Sequence, residues 1–311
     1  MPANLRRAQP EGVRRAGFEL IRRRKTQITM KQGISGLKKD AVFHMKENRL
    51  VRIAAYPVCT LRRRLQTKEY LRSDRSRKMK QWKNAFRGQR CFIIGNGPSL
   101  CTEDLNRLEG EITFSSNRIY HIYEKTDWRP DFYVAFEPEF CRTNADFISH
   151  LEVKQARFLN QCAWGAAREA ENTFWMNCTS RYTLEKLTTK NIEFSPDIAV
   201  QVCDAYSVTY TILQIALYMG FQEIYLLGVD HYASNGEQTS SHFYEDKKSE
   251  YRTPTYLAGI EYGYKLARKE AKKKGVHIYN ATRGGTLQVF RRVDFDAVMR
   301  DETSRQSGMK K

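Results

Sequence analysis

Short apolar runs alternate with polar stretches from residue 90 onward. Arg90–Gly95, Ile112–Ser115 and Asp131–Phe136 are each short, contain β-branched or aromatic residues, and are bounded by polar positions. Runs of this length and composition are typical of buried β-strands. The pattern therefore predicts three strands in the first part of this region.

Strand and helix patterns alternate in the second part of the chain. Ser207–Met219 is apolar on nearly all faces and is followed by Gly220, which predicts a buried helix with a glycine stop. Glu223–Gly228 predicts a strand, Tyr256–Lys274 an amphipathic helix and Val276–Asn280 a further strand. This alternation favours a Rossmann-like α/β fold, in which a mainly parallel sheet carries helices on both faces. Ligands in such folds bind at the carboxyl ends of strands.

Positive charge is concentrated at one end of the chain. The 311 residues include 53 Lys and Arg against 35 Asp and Glu, a net charge of +18. Residues 1–90 contain 26 basic and 6 acidic residues, whereas residues 91–311 contain 27 and 29. We therefore expect a basic leader over 1–88, helical or partly disordered, an α/β domain over 89–296 that binds a nucleotide, and a polar tail over 297–311.

The basic leader interleaves cations with apolar residues, as where Arg22–Lys25 follows Leu20 and Ile21. Helices of this composition have a basic face that is attracted to anionic lipid headgroups. The same positive charge would also attract nucleic acid. However, the leader has few aromatic side chains for stacking on bases and matches no nucleic-acid-binding motif. We therefore expect docking to an anionic membrane surface rather than to nucleic acid. A solvated leader without a specific partner is the alternative.

The sequence contains no apolar stretch of the length that crosses a membrane as a helix. The longest apolar run near the N-terminus, Leu50–Leu61, is short and contains Arg52 and Pro57. The first thirty residues lack the apolar core of a secretory signal peptide. The seven cysteines are scattered without a C-x-x-C pair, which favours reduced thiols. We expect a cytoplasmic protein that is peripheral at the inner face of the membrane.

A glycine-containing loop follows the first predicted strand. Gly95 and Gly97 flank Asn96 and allow the backbone to approach a phosphate or a ribose closely. Ser99 can cap the next short helix and leave N–H groups facing an anion. The loop matches neither G-x-G-x-x-G nor a Walker A motif, so an ordinary strand-to-helix turn is the alternative.

Two further strands are followed by polar residues. Asn117 follows the second predicted strand and can hold the edge of a base or a sugar. Asp230 and Tyr232 follow the strand that ends at Gly228, where the carboxylate can bind a ribose hydroxyl or Mg²⁺ and the phenol can donate to a phosphate. His242 lies in the long polar segment 233–253 beside hydroxyl and aromatic residues. Because histidine titrates near neutral pH, we expect His242 to act as the general base.

Several of these segments resemble the MptE-like family, named after an archaeal 6-hydroxymethylpterin diphosphokinase, and also bacterial lipo-oligosaccharide sialyltransferases. The resemblance spans roughly residues 90–280 and not the basic leader. It is carried by Ile93–Leu100, Ser116–Arg118, Ala216–Leu217 and Gly220–Tyr232.

Similarity to the sialyltransferases implies that Asn96 and Asn117 hold the cytidine nucleotide of a CMP-sugar. It also implies that Tyr232 bonds the departing phosphate and that His242 takes the proton of the acceptor hydroxyl. The acceptor would be a cell-surface glycan precursor, no metal would be obligatory, and the active form would be a homo-oligomer. The loops of the predicted site would then bind the nucleotide through Gly95, Gly97, Ser99 and Asp230 as well.

Similarity to the diphosphokinase implies a different reaction, the transfer of pyrophosphate from ATP to a pterin-type alcohol. Glu137 stands after the third predicted strand, where the sialyltransferases carry an asparagine, and together with Asp230 it would hold Mg²⁺. Arg118 and Arg283 would supply cations for the additional phosphates. A third alternative is a nucleotide-binding scaffold without catalysis, in which Asn96 and Asn117 bind the ligand and His242 has no role.

Overall fold

The computed structural model describes residues 49–167, 172–179, 192–231, 242–244 and 254–300. Contacts within the chain divide it into two units, Met1–Cys59 and Thr60–Lys311. The second unit contains the sheet and all of the described side chains.

The described residues form an eight-stranded sheet and a small two-stranded one. The order in the large sheet is β10-β9-β8-β1-β2-β3-β4-β5, β6 pairs with β7, and every pair is parallel. The strands are β1 (Arg90–Ile94), β2 (Thr113–Ser116), β3 (Phe132–Ala135), β4 (Ala156–Asn160), β5 (Thr173–Met176), β6 (Cys178–Thr179), β7 (Val202–Cys203), β8 (Glu223–Leu227), β9 (His277–Asn280) and β10 (Arg291–Arg292).

Helices in the described residues range from one turn to several. The α-helices are α1 (Arg49–Arg72), α2 (Asp74–Met79), α3 (Thr102–Asn106), α4 (Pro138–Thr143), α5 (Ala145–Ser149), α6 (Trp164–Ala167), α7 (Val208–Met219) and α8 (Pro254–Lys273). Three short 3₁₀ helices cover Lys80–Trp82, Ile119–Ile122 and Gln161–Ala163.

Alternate residues of each central strand enter two separate apolar cores, one on each face of the sheet. In β1, Ile93 joins the core beneath the long helices α7 and α8, and Phe92 joins the core beneath the short helices α3, α4 and α5. Both faces of the sheet are therefore covered, as a parallel sheet requires. The predicted α/β, Rossmann-like fold with a parallel sheet and helices on both faces is confirmed.

The elements predicted in the second half of the domain are found within one or two residues. Helix α7 covers Val208–Met219. It ends at Gly220, whose φ of 87° lies in the left-handed region that glycine adopts without strain. Strand β8 and helix α8 likewise match their predicted segments. No helix in the described parts of the chain is long and apolar enough to cross a membrane.

The chain order changes direction between β1 and β8. From β1 the chain adds β2, β3, β4 and β5 on one side, then returns to place β8 on the other side of β1 and continues to β9 and β10. In open α/β sheets, ligands bind in the crevice at the carboxyl ends of the strands where the order reverses. The loops after β1 and β8 stand at this position.

The charge balance assigned residues 60–88 to the leader, whereas the structure packs this segment on the sheet. Tyr70 and Met79 are fully buried in the core. Trp82 makes edge-on ring contacts with Phe132 and Phe158, at centroid distances of 5.4 and 5.6 Å. The buried apolar residues of this segment thus cover one face of β3 and β4, while most of its cations are exposed. The predicted boundary at residue 88 marks a change in charge, and the compact unit begins at Thr60.

Candidate functional site

The loops that follow β1 and β8 are joined by backbone hydrogen bonds. Gly95 N–H donates to Leu227 O at 2.8 Å, and Gly97 N–H donates to Gly228 O at 2.8 Å. A Cβ atom at Gly97 would lie 2.6 Å from Gly228 O and 1.8 Å from a carboxylate oxygen of Asp230. Only glycine allows these two loops to approach so closely, and the glycines found in the sequence therefore serve loop packing.

Asp230 is 4% exposed and lies between three loops. Its Oδ2 accepts a hydrogen bond from Ser99 Oγ at 2.9 Å, which links the β8 loop to the β1 loop. Its backbone oxygen accepts from Thr286 N–H at 2.7 Å. Gly285 packs so closely that a Cβ there would lie 2.3 Å from this same oxygen. The sequence points to this loop only through Arg283, which precedes Gly284 and Gly285, and does not reveal the contact of the loop with Asp230.

The side chain of Asn96, after β1, reaches the end of β2, next to Asn117 in the chain. Asn96 Nδ2 donates to Ser116 O at 3.1 Å. The side-chain oxygens of Asn96 and Asn117 are both buried and are among the buried polar atoms without a hydrogen-bond partner in the described part of the chain. We name Asn96, Ser99, Asn117 and Asp230 the switch-point cluster. It combines residues from three adjacent strand ends, those of β8, β1 and β2.

Tyr133 fixes the backbone of Asn117. Asn117 has a φ of 51°, in the left-handed region that asparagine tolerates better than most residues. Tyr133 Oη donates to Asn117 O at 2.6 Å. Burial raises the pKa of Tyr133 well above its usual range, so the phenol keeps the proton that this hydrogen bond requires. The hydrogen bond supports Asn117 in this left-handed conformation, and no local pattern in the sequence predicts it.

The segment 242–244 is anchored on the β1 loop. Phe243 N–H donates to Asn96 O at 3.0 Å, which brings His242 next to the switch-point cluster. The ring of His242 stacks on Tyr244 at 4.9 Å, and Tyr244 lies 5.1 Å from the ring of His121. His121 was not selected from the sequence, where it has no recognisable partner. Tyr232, the other predicted catalytic residue, lies outside the described residues.

Glu137 is arranged as a helix cap. Its Oε1 accepts from Glu139 N–H at 2.8 Å, and its Oε2 accepts from Phe140 N–H, at the start of α4. Both carboxylate oxygens therefore already satisfy backbone donors. In the described residues, no group of three or more His, Cys, Asp or Glu side chains is placed to hold a metal ion. Glu137 therefore caps α4, and a Mg²⁺ ion bound here would share its carboxylate oxygens with these two backbone donors.

A second polar cluster at the same edge of the sheet is fully paired. Arg283 donates hydrogen bonds to the carboxylate of Asp104 from Nε at 2.6 Å and from Nη2 at 2.7 Å. Its Nη1 donates a further hydrogen bond to Asp296 at 3.0 Å. Arg107 also bonds Asp296. Hydrogen bonds from Arg283 and Arg107 hold the pKa of Asp296 well below its usual range. We name Asp104, Arg107, Arg283 and Asp296 the arginine cluster; in it, Arg283 is committed to two aspartates.

Comparison with solved structures gives one low-identity similarity of fold. The sialyltransferase CstII from Campylobacter jejuni, solved in complex with a substrate analogue, CMP-3FNeuAc, is 16% identical, with a TM-score of 0.37. The similarity covers 66% of this chain and 86% of that chain. At this level it bears on neither substrate nor mechanism. No curated protein matches the chain.

Comparison with protein families gives a match over more than half of the chain. The family described as 6-hydroxymethylpterin diphosphokinase MptE-like matches residues 66–236. The matched region begins within α1 and includes the loops after β1, β2 and β8, so it contains the whole switch-point cluster. On this match, the chain belongs to the MptE-like family.

Proposed function

We propose that this protein is a nucleotide-dependent transferase that moves a sugar from a CMP-sugar donor to a hydroxyl acceptor on a glycan precursor. The observation that carries the proposal is the meeting of the β1 and β8 loops at the reversal of strand order, because open α/β sheets bind their ligands there. Membership in a family named for a diphosphokinase supports the broader class, a transferase that uses a nucleotide.

The asparagine oxygens of the switch-point cluster are suited to the nucleoside part of the donor. A buried acceptor that lacks a hydrogen-bond partner costs about 1–3 kcal/mol. A ribose hydroxyl or the amino group of cytosine can donate to Asn96 Oδ1 or Asn117 Oδ1, and a fully ionised phosphate cannot. A nucleoside that donates a hydrogen bond to either asparagine oxygen would remove the free-energy cost of leaving that acceptor unsatisfied. The cluster therefore favours a nucleoside ligand.

In the proposed reaction, His242 takes the proton of the acceptor hydroxyl as its oxygen attacks the anomeric carbon. The bond between the sugar and the phosphate oxygen breaks, and CMP leaves with the electron pair. The hydroxyl of Tyr232 donates a hydrogen bond to the departing phosphate, on which negative charge increases. The hydrogen bond from Phe243 N–H to Asn96 O supports the role of His242, because it joins the segment 242–244 to the loop after β1.

Pyrophosphate transfer from ATP to a pterin-type alcohol is the second candidate, and the family match favours it. This reaction needs Mg²⁺ and cations for three phosphates. Glu137 is already used as a helix cap, and Arg283 is held by two aspartates. Because of these contacts, we rank the diphosphokinase second to sugar transfer.

Titration calorimetry with CMP, a CMP-sugar and ATP, each with and without Mg²⁺, tests the donor. We expect CMP and the CMP-sugar to bind without metal and ATP to bind more weakly. Binding of ATP that depends on Mg²⁺, without binding of CMP, would contradict the proposal and favour the diphosphokinase. A thermal shift measured beside the titration gives an independent reading, since a ligand that binds only the folded state raises the apparent stability.

The His242→Ala variant tests the general base. We expect its kcat to fall by about 10²–10⁴-fold while the affinity for CMP is unchanged. His277→Ala is the matched control, because His277 is an exposed histidine on β9, away from the cluster. Unchanged turnover in His242→Ala would remove this residue from the mechanism. Wild-type protein that binds CMP but shows no transfer with any hydroxyl acceptor would identify a scaffold.

A further inference from the structure

The outward face of α1 combines exposed leucines with cations. Leu61 and Leu65 are each 57% exposed and Leu71 is 45% exposed. In the parts of the chain that the structure describes, these are the exposed large apolar side chains, and all three lie on α1. Scattered single apolar residues on a surface need no explanation, but three on one helix form a patch.

Cations surround these leucines on the same helix. Arg62, Arg64, Lys68 and Arg72 are exposed, and Glu69 is the only acidic residue of α1. Positions 61, 65, 68 and 72 follow one another at spacings of four and three residues, so they lie along one face of the helix. Leu61 and Leu65 thus lead into Lys68 and Arg72 along a single stripe.

Contacts with the sheet set the direction in which this stripe faces. Tyr70 is fully buried in the core on the opposite side of the helix. Asn177, directly after β5, donates to Thr67 Oγ1 at 3.1 Å and accepts from Gln66 Nε2 at 3.4 Å. These contacts fix the rotation of residues 60–72 about the helix axis, so the stripe is held facing solvent.

We propose that this face of α1 docks the protein to an anionic lipid surface. Leu61 and Leu65 would enter the boundary between headgroups and acyl chains, while Arg64, Lys68 and Arg72 bind lipid phosphates. A shallow groove between the helix and Gln201, lined also by Arg64, Lys68 and Leu71, provides a place for a headgroup. The proposal goes beyond group transfer, because it concerns where the enzyme is held.

Other occupants fit the charge of this face less well. A symmetric contact with a second copy would bring the same cations together, with one Glu on each helix to offset them. Residues 1–48 contain 12 basic and 4 acidic residues, a net charge of +8, and would be repelled by the helix. The phosphates of nucleic acid would pair with the cations, but they provide no apolar surface on which the leucines could be buried.

Flotation of the full chain with vesicles tests the proposal. Wild-type protein is expected to float with phosphatidylcholine vesicles that contain phosphatidylserine and not with phosphatidylcholine alone. Removing two cations in Arg64→Gln/Lys68→Gln should weaken the partition by about 30-fold at low salt, since each cation near the surface contributes about 1 kcal/mol. Leu61→Gln/Leu65→Gln should weaken it by about tenfold or more with no change of charge.

Lys269→Gln/Lys272→Gln is the matched control, because it removes two exposed cations from α8 and should leave the partition within about twofold of wild type. Circular dichroism and the Tm of each variant confirm folding. Equal flotation of the leucine variant and the wild type would overturn the proposal, as would equal flotation with both kinds of vesicle. It would also fail if sedimentation showed a wild-type dimer that the leucine variant lacks, or if the variants lost affinity for duplex DNA but not for vesicles.

Discussion

Two polar clusters lie at the same carboxyl edge of the sheet and differ in how their acceptors are satisfied. In the arginine cluster, each carboxylate accepts from a guanidinium of the same chain. In the switch-point cluster, the side-chain oxygens of Asn96 and Asn117 are buried and have no hydrogen-bond partner among the residues that the structure describes. A group that is satisfied within the chain stabilises the fold, whereas an unsatisfied acceptor lowers stability until a donor arrives. The arginine cluster therefore has the properties of a structural cluster, whereas the switch-point cluster is suited to bind a ligand.

The largest effect is expected from a change that lowers both the stability of the fold and the affinity for the nucleotide. In Gly97→Ala, the added Cβ would collide with Gly228 O and with the Asp230 carboxylate. We expect the free energy of unfolding to fall by about 2–3 kcal/mol and nucleotide affinity to be lost. Urea unfolding and calorimetry measure the two effects. Gly165→Ala is the control, because a Cβ at Gly165 meets no atom within 4 Å, and it should be neutral in both assays.

Removing the central cation of the arginine cluster should affect stability alone. In Arg283→Gln, Asp104, whose side chain is 3% exposed, loses both of its short hydrogen bonds to the guanidinium. We expect the free energy of unfolding to fall by about 1–3 kcal/mol, at the low end for a buried charge pair because Arg283 is 39% exposed. Nucleotide affinity should be unchanged. A matching loss of affinity would show that this cluster also serves the ligand and would remove the distinction.

The opposite pattern is expected for the switch-point cluster. Asn96→Ala removes an oxygen that has no partner in the described part of the chain, together with the hydrogen bond to Ser116 O, so the two contributions to stability offset each other to within about 1 kcal/mol. Nucleotide affinity should fall by about tenfold, the contribution of one hydrogen bond. Calorimetry and urea unfolding of the same preparation give both numbers. A large loss of stability with unchanged affinity would mean that Asn96 is a structural residue.

The smallest effect concerns pH. Arg283 and Arg107 lower the pKa of Asp296 in the folded protein, so the stabilisation by this carboxylate is present above its unfolded pKa and is lost as pH falls through the folded value. Asp296→Asn should therefore be less stable than wild type near pH 7, and the difference should shrink under acid conditions. Thermal unfolding across this pH range measures it. A difference that is independent of pH would show that the charge of Asp296 has no part in it.

Strands and helices with a strong local pattern could be predicted from the sequence, and those stabilised mainly by neighbours could not. β1, β8 and α7 have apolar runs with glycine at or just beyond their ends, and they appear where expected. β4 contains Arg157, whose guanidinium bonds Leu151 O at 2.6 Å, so its pattern is interrupted. β10 consists of two arginines and pairs only because β9 lies beside it.

The candidate site was predictable in its loops and less so in its cross-contacts. Asn96, Asn117 and Asp230 each follow a strand directly, and strand ends of a parallel sheet share one edge, so their proximity could be expected. The contacts of Tyr133 with Asn117, of His121 with Tyr244 and of Gly285 with Asp230 join distant parts of the chain. Spacing along the sequence carries no information about such pairs.

The packing of residues 60–88 on the sheet has a consequence for work with fragments. A version of the protein that starts at residue 89 would lose Tyr70, Met79 and Trp82 and would leave the rings of Phe132 and Phe158 bare to water. Such a fragment would be expected to aggregate on expression even though its sheet and ligand loops are complete. A soluble truncation has to begin ahead of α1's buried tyrosine.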